Sequence, residues 1–373
     1  MKNWNVRKVI ATPELIPEEH RLARSLSWPH LIFLGVGAIV GTGILVLIGT
    51  AAGKAGPAMM LSFVIAGVIC AAAALAYAEV ATEIPASGSA YTYSYVVFGE
   101  IIAWFVGWSL ILEYSLVVSA VSVGWSGYFA PLVGIPKELA TAPLLGGVFN
   151  FPAVFIIAVI AGLLIYGIRE SANLNSALVA IKMLALAMFI VVALRVFNAD
   201  NFTPFMPYGF VKSGPPGQEV GVMAAAAIIF FAFYGFDAIA TAAEEAKNPA
   251  RDLSIGIVGS MVLCVLIYMA VAAAAIGAEP YQRFVDSPEP LALILRDIGQ
   301  PFAARILALS ASVGLPTVIL AFFYGQSRIF LAMSRDGLLP ARLARLSGRR
   351  NPVRITLFTA VVVGALAGLG GAV

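Results

Sequence analysis

The sequence predicts an all-α polytopic membrane protein, and three observations carry that reading. Apolar residues make up 61% of the 373 and charged residues 12%, against roughly 45–50% and about 25% in soluble domains. Mean hydropathy is +0.94, and several uncharged stretches reach the roughly 18 residues that can cross a bilayer. Lys and Arg are also spread unevenly around those stretches. With the N-terminus in the cytoplasm, fifteen of the 23 fall on the cytoplasmic side and seven outside, and Lys182 lies within a crossing. That is the asymmetry of positive-inside topology. The net charge of +3 therefore says little about nucleic acid, and no nucleic-acid partner is expected.

The elements follow in order. Residues 1–27 have no apolar h-region and no cleavage site, so they are not a signal peptide. They read as a polar cytoplasmic tail in which PEEHRLARSL forms a short surface helix with acidic residues in its first turn. Nine crossings come next, near 29–54, 58–82, 101–129, 150–168, 174–194, 220–243, 253–276, 302–330 and 355–373. Residues 28–194 hold the first five and residues 195–373 the other four. Each is long enough for a hydrocarbon core about 30 Å thick. The chain stops as the ninth crossing ends, and the sequence is expected to be incomplete or naturally shortened. Cys70 and Cys264 both lie in apolar runs, where they pack rather than form a disulfide framework. Trp104, Trp108 and Trp125 read as packing or interfacial anchors.

Several function classes drop out. His20 and His30 are too few and too isolated for a metal site, and no cofactor is expected. There is no Gly-x-Ser-x-Gly and no His–acid pair at useful spacing, so an enzyme is not expected. No polar ring suggests a channel filter.

The first crossing, LIFLGVGAIVGTGILVLIGTAA, crowds Gly35, Gly37, Gly41 and Gly43 into its first thirteen residues. The spacing Gly-x-Gly-x-x-x-Gly is not the dinucleotide fingerprint, and no strand precedes it. Small residues let helices approach closely, and Gly35 and Gly37 fit that role. Gly41-Thr42-Gly43 sits at mid-span, where glycine can release the chain from helical geometry. The freed N–H groups of a second half-helix, with its dipole, suit a carboxylate. The carbonyls that end the first half suit an ammonium. The sixth crossing repeats the pattern, with Gly235 at its centre and Asp237 just after it. A carboxylate at membrane depth costs about 2.5–3.5 kcal/mol on insertion scales and is a functional suspect by default, here for gating. Interrupted crossings five apart point to an inverted-repeat transporter with its substrate site at the midplane.

Four segments, GVGAIVGTGILVLIGTAAGKAGPA, AYAEVATEIPASGSAYTYSYVVFGE, FYGFDAIATAAEEAKNPARDLSIGI and GQSRIFLAMSRDGLLP, resemble the amino acid–polyamine–organocation superfamily. Its bacterial cationic amino acid transporter branch is the most similar. The resemblance runs from about residue 22 to the end. It implies two inverted five-helix repeats with broken helices 1 and 6, usually followed by two further helices; the chain ends after about nine. It also implies a substrate-binding set. Thr42 and Gly43 offer amides to the substrate carboxylate, and Ile39, Phe231 and Tyr234 offer carbonyls to its ammonium. Phe231 and Phe233 have a competing reading as core or lipid-facing aromatics. Leu315 matches a position lining the side-chain pocket, where a bulky apolar group favours small neutral amino acids over long cationic ones.

Lys182 lies eight residues into the fifth crossing, about 12 Å deep at 1.5 Å per residue, too deep for its stem to snorkel out. A desolvated lysine can exchange its proton near neutral pH. The resemblance implies that a lysine here replaces a sodium ion, making the proton the coupling ion. An ion pair with Glu113 is the alternative, and Glu113 could equally face a cationic substrate. Glu79, Glu83, Arg335 and Asp336 lie near the cytoplasmic boundary, either solvated or gate-forming. The basic loop SRDGLLPARLARLSGRR can touch anionic headgroups. The expected function is proton-coupled uptake of L-amino acids by alternating access across the plasma membrane, with amino acid and lipid as partners. An amino acid sensor of transporter ancestry and an exchanger are the alternatives. The oligomeric state is not legible.

Overall fold

The structure, a computed structural model, describes residue 7 and residues 26–84, 89–166, 172–241, 246–340, 343 and 352–370. The PEEHRLARSL helix before Leu26, His20, the arginine of loop 169–173, Glu244, Glu245 and most of the basic loop after residue 340 lie outside them.

The described chain is helical, with two isolated bridges, Leu26–Ala246 and Ser213–Val220. The helices are α1 (Trp28–Ile39), α2 (Thr42–Leu45), α3 (Leu47–Ala55), α4 (Met59–Glu83), α5 (Ser89–Phe98), α6 (Glu100–Val133) and α7 (Phe151–Tyr166). They continue as α8 (Ala172–Ala193), α9 (Val222–Ile229), α10 (Phe236–Thr241), α11 (Pro249–Ala278), α12 (Pro290–Asp297), α13 (Pro301–Arg335) and α14 (Val353–Ala365). Among the described residues, six stretches are long and apolar enough to cross a membrane. Three shorter apolar helices, Trp28–Ile39, Phe151–Tyr166 and Val222–Phe233, accompany them. This is a multi-pass membrane protein.

Helix falls on each of the nine segments the hydropathy marked, with two kinds of departure. The third and eighth segments run longer than their apolar stretches: α6 has 34 residues and α13 has 35, about 50 Å at 1.5 Å per residue. Nothing breaks α6 until Gly134, which closes it in the left-handed conformation (φ 73°, ψ 27°). The first and sixth segments are interrupted. They are carried by a frame in which α13 lies along α6 and α8, while α11 packs on α4 and α1. Small residues set the spacing. A Cβ at Gly35 would come within 2.5 Å of the Ser260 Oγ, so α1 approaches α11 almost backbone to side-chain base. Cys70 and Cys264 are free and buried.

Candidate functional site

Two helix breaks face each other at the centre. In the first, α1 stops at Ile39, Val40 turns extended (φ −74°, ψ 96°), and α2 restarts at Thr42. In the second, α9 tightens into a 3₁₀ turn over Phe230–Phe233, Tyr234 is extended (φ −59°, ψ 146°), and α10 begins at Phe236. Gly235 makes that second break possible, because its φ of +115° is a conformation other residues avoid. A Cβ there would also lie 2.9 Å from the Ala38 carbonyl carbon. At Gly43 a Cβ would come 2.4 Å from the Ala232 Cα. Glycine is thus needed on both strands of chain for the breaks to touch.

Tyr268 of α11 ties them together. Its buried hydroxyl lies 2.8 Å from the Ile39 carbonyl and 3.0 Å from the Ala232 carbonyl, one proton shared between two acceptors. Phe233 packs on the same ring at 5.2 Å between centroids, so it is part of the core. Phe231 stands edge-on to Tyr234 at 5.6 Å and is half-buried. The sequence reading missed Tyr268. The available signal was a lone hydroxyl inside the apolar run LCVLIYMAVAAAAIG, which needs an acceptor when buried.

Lys182 belongs to the first break. It is 3% exposed and donates to the Gly37 carbonyl at 2.9 Å and the Val40 carbonyl at 3.2 Å. The Gly37 carbonyl is in the last turn of α1 and the Val40 carbonyl follows its end, where the helix supplies no donor of its own. The stem lies against Gly314 of α13, where a Cβ would meet the lysine Cγ at 2.5 Å. Gly314 is therefore a socket that the sequence reading did not identify. Leu315, next along α13, is fully buried.

Glu113 and Asp237 form a second group. Asp237 is buried and accepts a hydrogen bond from the Tyr114 hydroxyl at 2.5 Å. Glu113 is half-buried within electrostatic range of Asp237. Tyr77 and Tyr234 lie within electrostatic range of both acids, and Tyr93 within range of Asp237. Tyr91 donates to Asp336 at 2.8 Å, so Asp336 joins α5 to the end of α13, whereas Glu79, Glu83 and Arg335 are exposed. Trp125 is buried, and Trp104 and Trp108 are partly exposed.

A family model described as amino acid permease matches residues 26–373. The chain belongs to the amino acid permease family. Among this permease's relatives, the branched-chain amino acid permease of Bacillus subtilis is 45% identical over 352 residues, covering 91% of this chain and 73% of the relative. The methylthioribose transporter of Bacillus subtilis is 41% identical over 371 residues, with 97% and 78% covered. The vacuolar cationic amino acid transporter 4 of Arabidopsis thaliana is 37% identical over 372 residues, with 97% and 61% covered. The crystal structure of MhsT in complex with L-phenylalanine superposes with a TM-score of 0.64, at 15% identity, over 93% of this chain and 80% of that one. At that identity the likeness speaks for the transporter fold alone.

Proposed function

We propose that this permease is a proton-coupled secondary transporter of neutral aliphatic L-amino acids, working by alternating access in a plasma membrane with its N-terminus in the cytoplasm. The observation that carries the reading is the pair of facing breaks, α1/α2 and α9/α10, within an all-helical bundle. Two inverted repeats, each opening with a broken helix, account for breaks at corresponding places.

In this reading the opening amides of α2, at Thr42 and Gly43, hold the substrate carboxylate, since the first N–H groups of a helix have no internal partner. The carbonyls of Ile39, Phe231 and Tyr234 receive the ammonium. The Ile39 carbonyl already accepts from Tyr268, but a carbonyl has two lone pairs and can take a second donor. Leu315 limits the side-chain pocket to a neutral substrate. Protonated Lys182 latches the end of α1 through Gly37 and Val40, and loss of its proton weakens that latch. Asp237, tied to α6 through Tyr114, gates the path toward the cytoplasm, with Glu113 beside it.

The test is a thermal-stability screen of the chain against isoleucine, alanine, arginine and methylthioribose. A ligand that binds only the folded protein raises the melting temperature by mass action, about 2.7 kcal/mol at one hundred times Kd. Isoleucine is expected to give the largest shift. A shift with methylthioribose alone, which lacks the amino acid's carboxylate and ammonium, would remove the amino acid reading. A shift with arginine in place of isoleucine would remove the neutral pocket.

A further inference from the structure

Pro316 lies near the middle of α13, a helix of 35 residues. A proline inside a helix has no N–H for the carbonyl four residues back and crowds it, so the Ser312 carbonyl loses its helical donor. Nearby hydroxyls are engaged elsewhere. Ser312 donates its own hydroxyl to the Ala308 carbonyl at 2.8 Å, and Thr317 donates to the Gly314 carbonyl at 2.7 Å. The replacement comes from another helix. Trp125 of α6, 3% exposed, directs its indole N–H to the Ser312 carbonyl at 2.7 Å. The indole is oriented in turn by Phe129, stacked on it at 4.3 Å between centroids and 15° between planes.

The turn repaired in this way is the one that meets Lys182. Gly314 stands midway between Ser312 and Pro316, and a Cβ there would come 2.5 Å from the lysine Cγ and 2.6 Å from its Cδ. Lys182 therefore runs between two supports, Gly314 against its stem and the Gly37 and Val40 carbonyls at its ammonium. A shift of the Gly314 turn toward the lysine pushes the stem, and a shift away releases it. Either displaces the ammonium from its two carbonyls. The residue before Trp125 faces the first break: a Cβ at Gly124 would lie 2.5 Å from the Thr42 Cγ2. Successive residues of α6 thus hold α2 and the bent turn of α13 side by side.

We propose that Trp125 is a positioning residue for proton coupling: by supplying the hydrogen bond that Pro316 removes from α13, it fixes the turn whose Gly314 seats Lys182 beneath the end of α1. The inference rests on the reading of Lys182 as the carrier of the coupling proton. Trp125 acts through one backbone carbonyl. Without its N–H the Ser312 carbonyl is buried and bare, and the turn moves to find it another donor, taking Gly314 with it.

The test sets two readouts side by side in proteoliposomes of the full chain: isoleucine accumulation driven by an imposed proton gradient, and counterflow of labelled isoleucine without one. Trp125→Phe keeps a stacked ring and removes the N–H. Accumulation is expected to fall about tenfold, the scale of one buried hydrogen bond, with counterflow retained. Equal losses in both readouts mark a merely structural tryptophan and overturn the proposal, as does undiminished accumulation. Pro316→Ala returns a backbone N–H to the Ser312 carbonyl and is expected to keep accumulation. Adding Trp125→Phe to it is expected to change nothing further, which decides the matter even if Trp125→Phe alone fails to fold. An added loss in the double variant, failure to fold included, overturns the proposal, because the carbonyl then has its donor. Loss of accumulation in Pro316→Ala alone overturns it too, because a turn with every donor supplied still fails. If the parent chain shows no gradient-driven accumulation of isoleucine, or Lys182→Ala keeps it, the coupling reading falls first, so the two failures are separable.

Discussion

Lys182 and Tyr268 hold the same stretch of α1 by different chemistry, one by charge and one by a neutral hydroxyl. Lys182→Ala removes the cation from the Gly37 and Val40 carbonyls and is expected to abolish accumulation driven by an imposed proton gradient in proteoliposomes, while counterflow of labelled substrate survives. Undiminished gradient-driven accumulation would remove the coupling role. Tyr268→Phe deletes one shared hydrogen bond worth about 0.5–1.5 kcal/mol net. The expected result is a Kd for isoleucine up to about tenfold weaker, with proton coupling retained. Lys182 was legible in the sequence because a charge eight residues inside an apolar helix has few explanations. Tyr268 was not, since a tyrosine in such a helix serves equally well facing lipid or core, and only its two acceptors decide. The Gly314 socket was hidden for a related reason: a glycine in a membrane helix gives no hint of which side chain will lie across it.

At the scale of elements, each break needs a particular backbone. Gly235→Ala puts a Cβ at φ +115° and against Ala38, and a strained left-side φ of this kind costs about 1–3 kcal/mol. Its melting temperature is expected to fall, and isoleucine is expected to stabilise it poorly. A parent-like melting curve would mean that the second break relaxes elsewhere. Gly43→Val acts differently from what a lone helix suggests: its side chain strikes Ala232, so it separates α2 from the second break as well as crowding the amide site. The positions of both breaks could be read from clustered glycines and from Gly235 with Asp237. Their contact could not, because nothing in one helix states which residue of another it will touch. Helix ends were the other gap. Apolar windows find the membrane-buried part of α6 and α13, but both helices run on, α6 through Pro131 and α13 as far as Arg335, until Gly134 and Gly337 take positive φ.

For the whole molecule, the ionisable residues of the site fall into two groups, one beside each helix break. Lys182 holds the end of α1, and Asp237 with Glu113 lies by α10 and α6. In the proposed reading both flank the substrate site, which couples proton binding to amino acid binding, and such linkage is reciprocal. If the protonated Lys182 latch preorganises α1 for substrate, affinity for isoleucine falls as pH rises, and binding takes up protons. Isoleucine titrations at several pH values, followed by calorimetry in buffers of different ionisation enthalpy, measure both quantities. The expected outcome is fractional proton uptake that disappears in Lys182→Ala, with Glu113→Gln leaving it largely intact. Uptake lost in Glu113→Gln and kept in Lys182→Ala would move the coupling proton to the acidic group beside α10. Because α1 is latched by Lys182 while α10 is tied to α6 by Asp237, the same result would also identify which broken helix the proton controls.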